Sequence, residues 1–163
     1  MVESEEVIYF VPLLKMIPAE HPYFRRLGAE FGGHGRKFSK GASAVYTVGG
    51  LVSFLIGTGT IRMMTAGDKI LGICKQAVTA TSDNYADTTP IEIEILFAGD
   101  EVHCPVSTGT VALTQLGDEA DVVTGGLSIT LTESNNDFRQ VALEGDSTDT
   151  VIAVPLTSVY GGA

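Results

Sequence analysis

The side chains with the widest chemical reach in this 163-residue chain are three histidines, His21, His34 and His103, and two cysteines, Cys74 and Cys104. The adjacent pair His103-Cys104 invites a nucleophile or a metal site. A thiolate nucleophile needs a base held on another element and a third group to orient that base. Neighbours along a strand point to opposite faces, so His103 cannot serve Cys104. A zinc site from Cys74, Cys104 and His103 meets the same obstacle and lacks a fourth ligand at a usual spacing. Buried, inert cysteines are expected, with no metal and no cofactor. Whether the two cysteines pair is open, since spacing does not fix the distance between their Cα atoms. His21 stands between Glu20 and Pro22 and His34 lies in a glycine-rich stretch, so both are expected to be solvated or interfacial.

Three further patterns fail their chemical tests. Gly28 to Lys40 reads GAEFGGHGRKFSK, whereas a phosphate-binding loop requires G-x-x-x-x-G-K-[ST]. Arg36 intervenes after Gly35 and Phe38 follows Lys37, so a basic connector is expected there. Asp83, Asp87 and Asp118-Glu119-Ala120-Asp121 do not match the ligand positions of a calcium loop and read as solvated turns. Ala66-Gly67-Asp68-Lys69-Ile70 faintly resembles a strand of the dUTPases, small trimeric β-proteins. The aspartate motifs and the glycine-rich tail of that family are missing, so a dUTPase-like hydrolase is the least favoured reading and the chain is expected not to be an enzyme.

Charge narrows the partners. Residues 1–40 carry six bases and five acids, while residues 41–163 carry four bases and fifteen acids. An acidic body repels phosphate backbones, which argues against nucleic acid as a partner. Apolar runs such as Leu51–Ile56 are far shorter than the roughly 18–20 residues that span a bilayer, so no membrane is expected. Glu3, Glu5 and Glu6 make the start acidic where a secretory signal would be basic, and synthesis in a host cytoplasm is expected.

The elements that must position these residues are strands. Ser43–Val48 and Leu51–Ile56 flank Gly49-Gly50, which predicts a two-residue hairpin. Thr60–Met64, Lys69–Ala77, Glu101–Val106, Val111–Leu113, Asp121–Val123, Leu127–Thr132, Phe138–Leu143 and Val151–Pro155 are the other expected strands. Ile91–Phe97 reads IEIEILF, with Ile91, Ile93, Ile95 and Phe97 on one face and Glu92 and Glu94 on the other. Helix is expected only at Tyr23–Phe31 and in a short turn around Thr114–Gly117. The fold class is mainly β: a single β-barrel or sandwich domain over residues 41–163, preceded by an N-terminal extended arm and linker over residues 1–40. The arm either adds a strand to its own body or packs on a neighbour. Tyr9, Phe10, Tyr23, Phe24, Phe31 and Phe38 are candidate aromatic anchors, with Arg25, Arg26, Arg36 and Lys37 as charged contacts, because aromatics and arginine dominate interface energetics.

From Lys40-Gly41-Ala42 onward the chain resembles the head-decoration (capsid cement) proteins of tailed phages. The resemblance rests on Val48-Gly49-Gly50-Leu51-Val52, Gly57-Thr58-Gly59 and Ala66-Gly67-Asp68-Lys69-Ile70-Leu71-Gly72-Ile73. It continues in the polar loop Ser82-Asp83-Asn84-Tyr85-Ala86-Asp87 and in Thr148-Asp149-Thr150-Val151-Ile152-Ala153-Val154-Pro155. It covers roughly three-quarters of the chain and contains no catalytic signature. It implies a β-rich virion protein on the capsid exterior, a homotrimer that binds the major capsid protein and stabilises the head. A carbohydrate-binding or host-adhesion module on the virion is the alternative. Against it, the chain has no Trp and only five Tyr, where sugar sites stack on aromatic faces.

Overall fold

The computed structural model describes residues 24–27, 34–108, 110–131, 134–144 and 149–160. Their strands are β1 (Arg25–Arg26), β2 (Gly35–Ser39), β3 (Leu51–Leu55), β4 (Thr60–Met63), β5 (Gly72–Cys74), β6 (Pro90–Ile95), β7 (Val102–Thr108), β8 (Glu119–Val122), β9 (Ile129–Thr130), β10 (Phe138–Leu143) and β11 (Thr150–Pro155). The helical content described is a single 3-10 turn, Leu113–Gln115. The fold is mainly β, as the density of Val, Ile and Thr and the recurring turn residues require.

The strands form two sheets. In the first, β7, β11, β10, β8 and β9 run in order, and β9 returns to β7 in parallel at Val106 and Thr108, closing a ring. β1 joins the same edge of β7 further along, opposite Val102 and His103. The second sheet has the order β2-β6-β5-β3-β4. Its outer strands meet where Lys40 bridges to Ile61 and the Gly41 N–H donates to the Ile61 carbonyl at 3.1 Å.

Alternation along the strands builds two cores. Leu51 and Ile73 enter one with Phe24, Leu96, Val102, Cys104, Phe138 and Val151. Their chain neighbours Val52 and Cys74 enter the other with Tyr46, Ile61, Ile91 and Ile93. The sheet of β3 and β5 therefore buries both faces, which is why these strands read as continuous apolar runs. Two glycines permit close approach. A Cβ on Gly72 would stand 2.1 Å from the Glu94 carbonyl oxygen, and one on Gly126, at φ +68°, would stand 2.5 Å from that of Leu51.

Several expectations are corrected. Ser43–Val48 is not a strand: Ser43 has φ +55° and only Tyr46 bridges, to Val78. Gly49-Gly50 makes no hairpin, because Leu51 pairs with Ile73 rather than folding back on residues 43–48. The hairpin lies instead at Gly57-Thr58-Gly59, where Gly57 and Gly59 have φ of +84° and +68°. Lys69–Ala77 contracts to β5, Leu127–Thr132 contracts to β9, and Val111–Leu113 is not a strand. Within the expected helix Tyr23–Phe31, Arg25–Arg26 is extended and pairs with β7, since Phe24 must enter the core beside Phe138. Tyr23 and residues 28–31 of that helix, with most of residues 1–40, lie outside the described residues. Gly35–Ser39, expected to be a connector, pairs with β6 over its whole length, and Lys40 is buried. Residues 24–27 and 34–40 thus fold onto the body.

Candidate interaction surface

His103, Cys74 and Cys104 are committed to holding the fold, while His34 is exposed and His21 lies outside the described residues. β7 turns Val102 and Cys104 inward and His103 to the other face. The His103 Nδ1 meets the Glu144 carboxylate, which also lies 3.8 Å from Arg25 on β1. Cys104 donates its thiol to the Val102 carbonyl at 3.4 Å and Cys74 donates to the Gln76 carbonyl at 3.1 Å. The two thiols sit in separate cores and are free. Burial pushes the Cys74 pKa up and the Cys104 pKa well up, so neither is a ready thiolate at neutral pH.

Three aspartates fasten turns where the two sheets meet. Asp68 accepts from Ser53 Oγ at 2.9 Å, from Thr65 Oγ1 at 2.8 Å and from Arg62 at 2.8 Å. Burial alone would raise its pKa, but these donors and the Thr65 N–H outweigh it and hold the carboxyl below its ordinary value. Asp121 collects the backbone N–H groups of Ser134, Asn135 and Asn136, each at 2.8 Å, together with the Ser134 hydroxyl. There too donation overcomes burial, and the pKa falls. Asp137, fully buried, accepts the Val122 N–H at 2.9 Å. Burial, with the nearby charge of Asp121 adding to it, raises its pKa despite donation from the Val122 and Gly67 backbone. Gly67 itself abuts Asn135, so the Gly67-Asp68 turn, β8 and the Ser134–Asp137 segment form one polar seam.

The other suspected acids have similar duties. Lys40 Nζ reaches the Tyr85 carbonyl at 3.3 Å, the Asp87 carbonyl and the Asp87 carboxylate, and so anchors the Ser82–Asp87 loop. Glu119 pairs with Arg139 at 2.8 Å across β8 and β10. Glu94, expected to be exposed, is buried and pairs with Lys75 at 2.7 Å. Among the described residues no three His, Cys, Asp or Glu side chains converge to hold a metal ion.

What faces outward is different. Ile56, at the tip of the β3–β4 hairpin, is 94% exposed, and Leu113 in the 3-10 turn is 72% exposed. Val45, Val48 and Leu127 are also exposed. None of these was singled out from sequence. The signal was an apolar residue set directly against Gly-Thr-Gly, where a turn tip carries Ile56 beyond the sheet. His34, Phe97 and Tyr160 form a ring cluster, with centroids 4.8 Å apart for His34–Phe97 and 5.8 Å for Phe97–Tyr160.

The expected anchors divide. Tyr9, Phe10, Tyr23 and Phe31 lie outside the described residues. Phe24 is spent on the chain's own core, stacked 5.9 Å from Phe138. Arg25 and Arg26 are half-buried and paired with Glu144 and Asp100. Phe38 is half-buried, edge-on to Phe54 at 5.6 Å. Arg36 and Lys37 are exposed on β2. No helix among the described residues is long and apolar enough to cross a membrane. No family model matches the chain, and no curated protein matches it.

Proposed function

We propose that the chain is a structural virion protein that binds the outside of a major capsid protein shell and stabilises a phage head, acting as a homotrimer and not as an enzyme. One distribution supports the reading. The polar groups able to do chemistry are consumed in fastening loops and strands, as in Asp68, Asp121, Asp137 and Lys40. The exposed side chains include apolar tips and a basic edge, Ile56, Leu113, Arg36 and Lys37. Contact area of that kind, with no reactive group, is what a cement protein requires. The resemblance in motif order between Lys40 and Pro155 adds to it. Mass measurement and cosedimentation with emptied, expanded heads test the proposal: a trimer that sediments with the heads supports it, and a monomer that stays in the supernatant refutes it.

A glycan-binding module on the virion is the second reading, and the His34–Phe97–Tyr160 cluster is the observation that favours it, since sugars stack on such rings. A glycan array separates the two, because reproducible binding there belongs to adhesion.

A further inference from the structure

The first side of β2 is paired with β6 from Gly35 to Ser39. The His34 carbonyl accepts the Ile95 N–H at 3.1 Å, so His34, Arg36 and Phe38 turn their backbone groups to β6. Gly35, Lys37 and Ser39 turn theirs to the other side. There β4 comes close to β2 and bridges to the chain just beyond it, at Lys40 and Gly41, and no strand among the described residues pairs with Gly35 or Lys37 on that side. This is a short, exposed edge with backbone donors and acceptors to offer.

Its charge is unusual for this chain. Arg25, Arg26, Lys40, Arg62, Lys75 and Arg139 each hold an acid in an ion pair. Arg36 and Lys37, like Lys69, hold none among the described residues, although Lys37 lies opposite Glu92 in register. Two uncommitted cations therefore stand at successive positions of this edge, one on each face of the sheet, in a chain with a net charge of −10. Positive charge on an edge repels a second copy of the same strand, while opposite charges on neighbouring strands attract. The long-range repulsion of an acidic partner by the acidic body is screened beyond roughly 8 Å at physiological salt, so the local charges decide at contact.

We propose that β2 is a docking edge for an extended, acidic segment of a partner protein, which adds as a strand beside Gly35–Lys37 and sets neighbouring carboxylates against Arg36 on one face and Lys37 on the other. Backbone pairing supplies the geometry and charge selects the sequence. The inference rests on the reading of the chain as a binding protein and names the chemistry of its partner, but its test needs no capsid.

The probe is a capped, soluble peptide built on Thr-Glu-Glu-Thr, whose adjacent glutamates fall on both faces of an added strand, compared with its Lys-for-Glu counterpart and with a proline-interrupted acidic peptide that cannot pair as a strand. The full-length chain is titrated with each while amide hydrogen exchange is followed residue by residue. The acidic strand peptide is expected to slow exchange at Gly35 and Lys37, and the other two are not. R36E/K37E should weaken the acidic peptide by roughly three- to tenfold and improve binding of the basic one. Equal protection by acidic and basic peptides overturns the inference, as does an edge already protected in the free chain by its own N-terminal segment or by another copy. Fold retention of R36E/K37E is checked by its unfolding midpoint. If it unfolds, Arg36→Gln and Lys37→Gln singly carry the same test. Failure here with heads still bound removes the edge and leaves the cement reading. Protection here without head binding does the reverse.

Discussion

Asp121 repels the charge of Asp137 across the turn that both of them fasten. Asp121 holds the N–H groups of Ser134 to Asn136 and Asp137 holds that of Val122, and their carboxyls shift in opposite directions.

The pH dependence follows from those directions. Asp68 and Asp121 have folded pKa values below the unfolded value. Their stabilisation is fully present above about pH 3.9 and is lost as pH falls through the folded pKa. Asp137 is raised, so its contribution is complete below about pH 3.9 and is lost as pH rises through the folded pKa. Asp121→Asn should therefore cost more at pH 7 than at pH 2, with a loss at neutral pH of about 1–3 kcal/mol. Asp137→Asn should show the opposite trend, costing less at pH 7 than at pH 2. Urea unfolding at the two pH values checks both, and parallel trends would show that the two carboxyls do not play opposite parts.

Thiol accessibility gives a second prediction. Both cysteines are buried, with raised pKa values. A thiol reagent at pH 8 should label neither in the native protein and two per chain once urea unfolds it. Rapid native labelling of Cys104 would contradict its place in the ring core.

Glycine substitutions separate close packing from turn conformation. Gly72→Ala drives a methyl into the Glu94 carbonyl and should cost about 3 kcal/mol, since β5 cannot then keep its place against β6. Gly57→Ala meets open space and should cost only the left-handed backbone penalty of about 1–2 kcal/mol. Denaturant midpoints of the two variants give the comparison.

Ile56→Asp tests the proposed surface without touching the core. Because the side chain is 94% exposed, stability should change by no more than about 0.5 kcal/mol. If Ile56 anchors the chain to a shell, cosedimentation with heads should weaken roughly tenfold. Unchanged head binding would take the hairpin tip out of the interface.

The sequence was most legible where local pattern and tertiary role agree. Phe138–Leu143 appears at its expected bounds and Thr150–Pro155 within one residue of them, because turn residues bracket each run. Ile91, Ile93 and Ile95 are buried as their alternation requires. Glu94 broke the pattern because Lys75, across the β5–β6 pair, neutralises it, and one strand's periodicity carries no record of its neighbour. Ser43–Val48 has strand-forming residues but meets a partner at a single bridge, Tyr46 with Val78. Strand propensity is fit to a pleated surface, and Tyr46 instead turns its hydroxyl to Gly41 and Ile61. Arg25–Arg26 were hidden for the same reason, since two residues become a strand only because β7 has a vacant edge beside Phe24. On the candidate surface, Arg36 and Lys37 were legible as charges. That they stand on an open edge was not, because openness is a property of strands brought together from distant parts of the chain.

β11 lies between β7 and β10 in the closed ring, and the residues after it bridge to Ile70, just before β5, and to Phe97, just after β6. A ribosome delivers this central stave after both of its neighbours. Until then β7 and β10 are joined only the long way round, through β9 and β8, and the gap between them leaves apolar faces in the open. The nascent chain thus passes through a stage in which most of its strands exist and the ring does not. A chaperone would find its strongest grip on the protein at that stage.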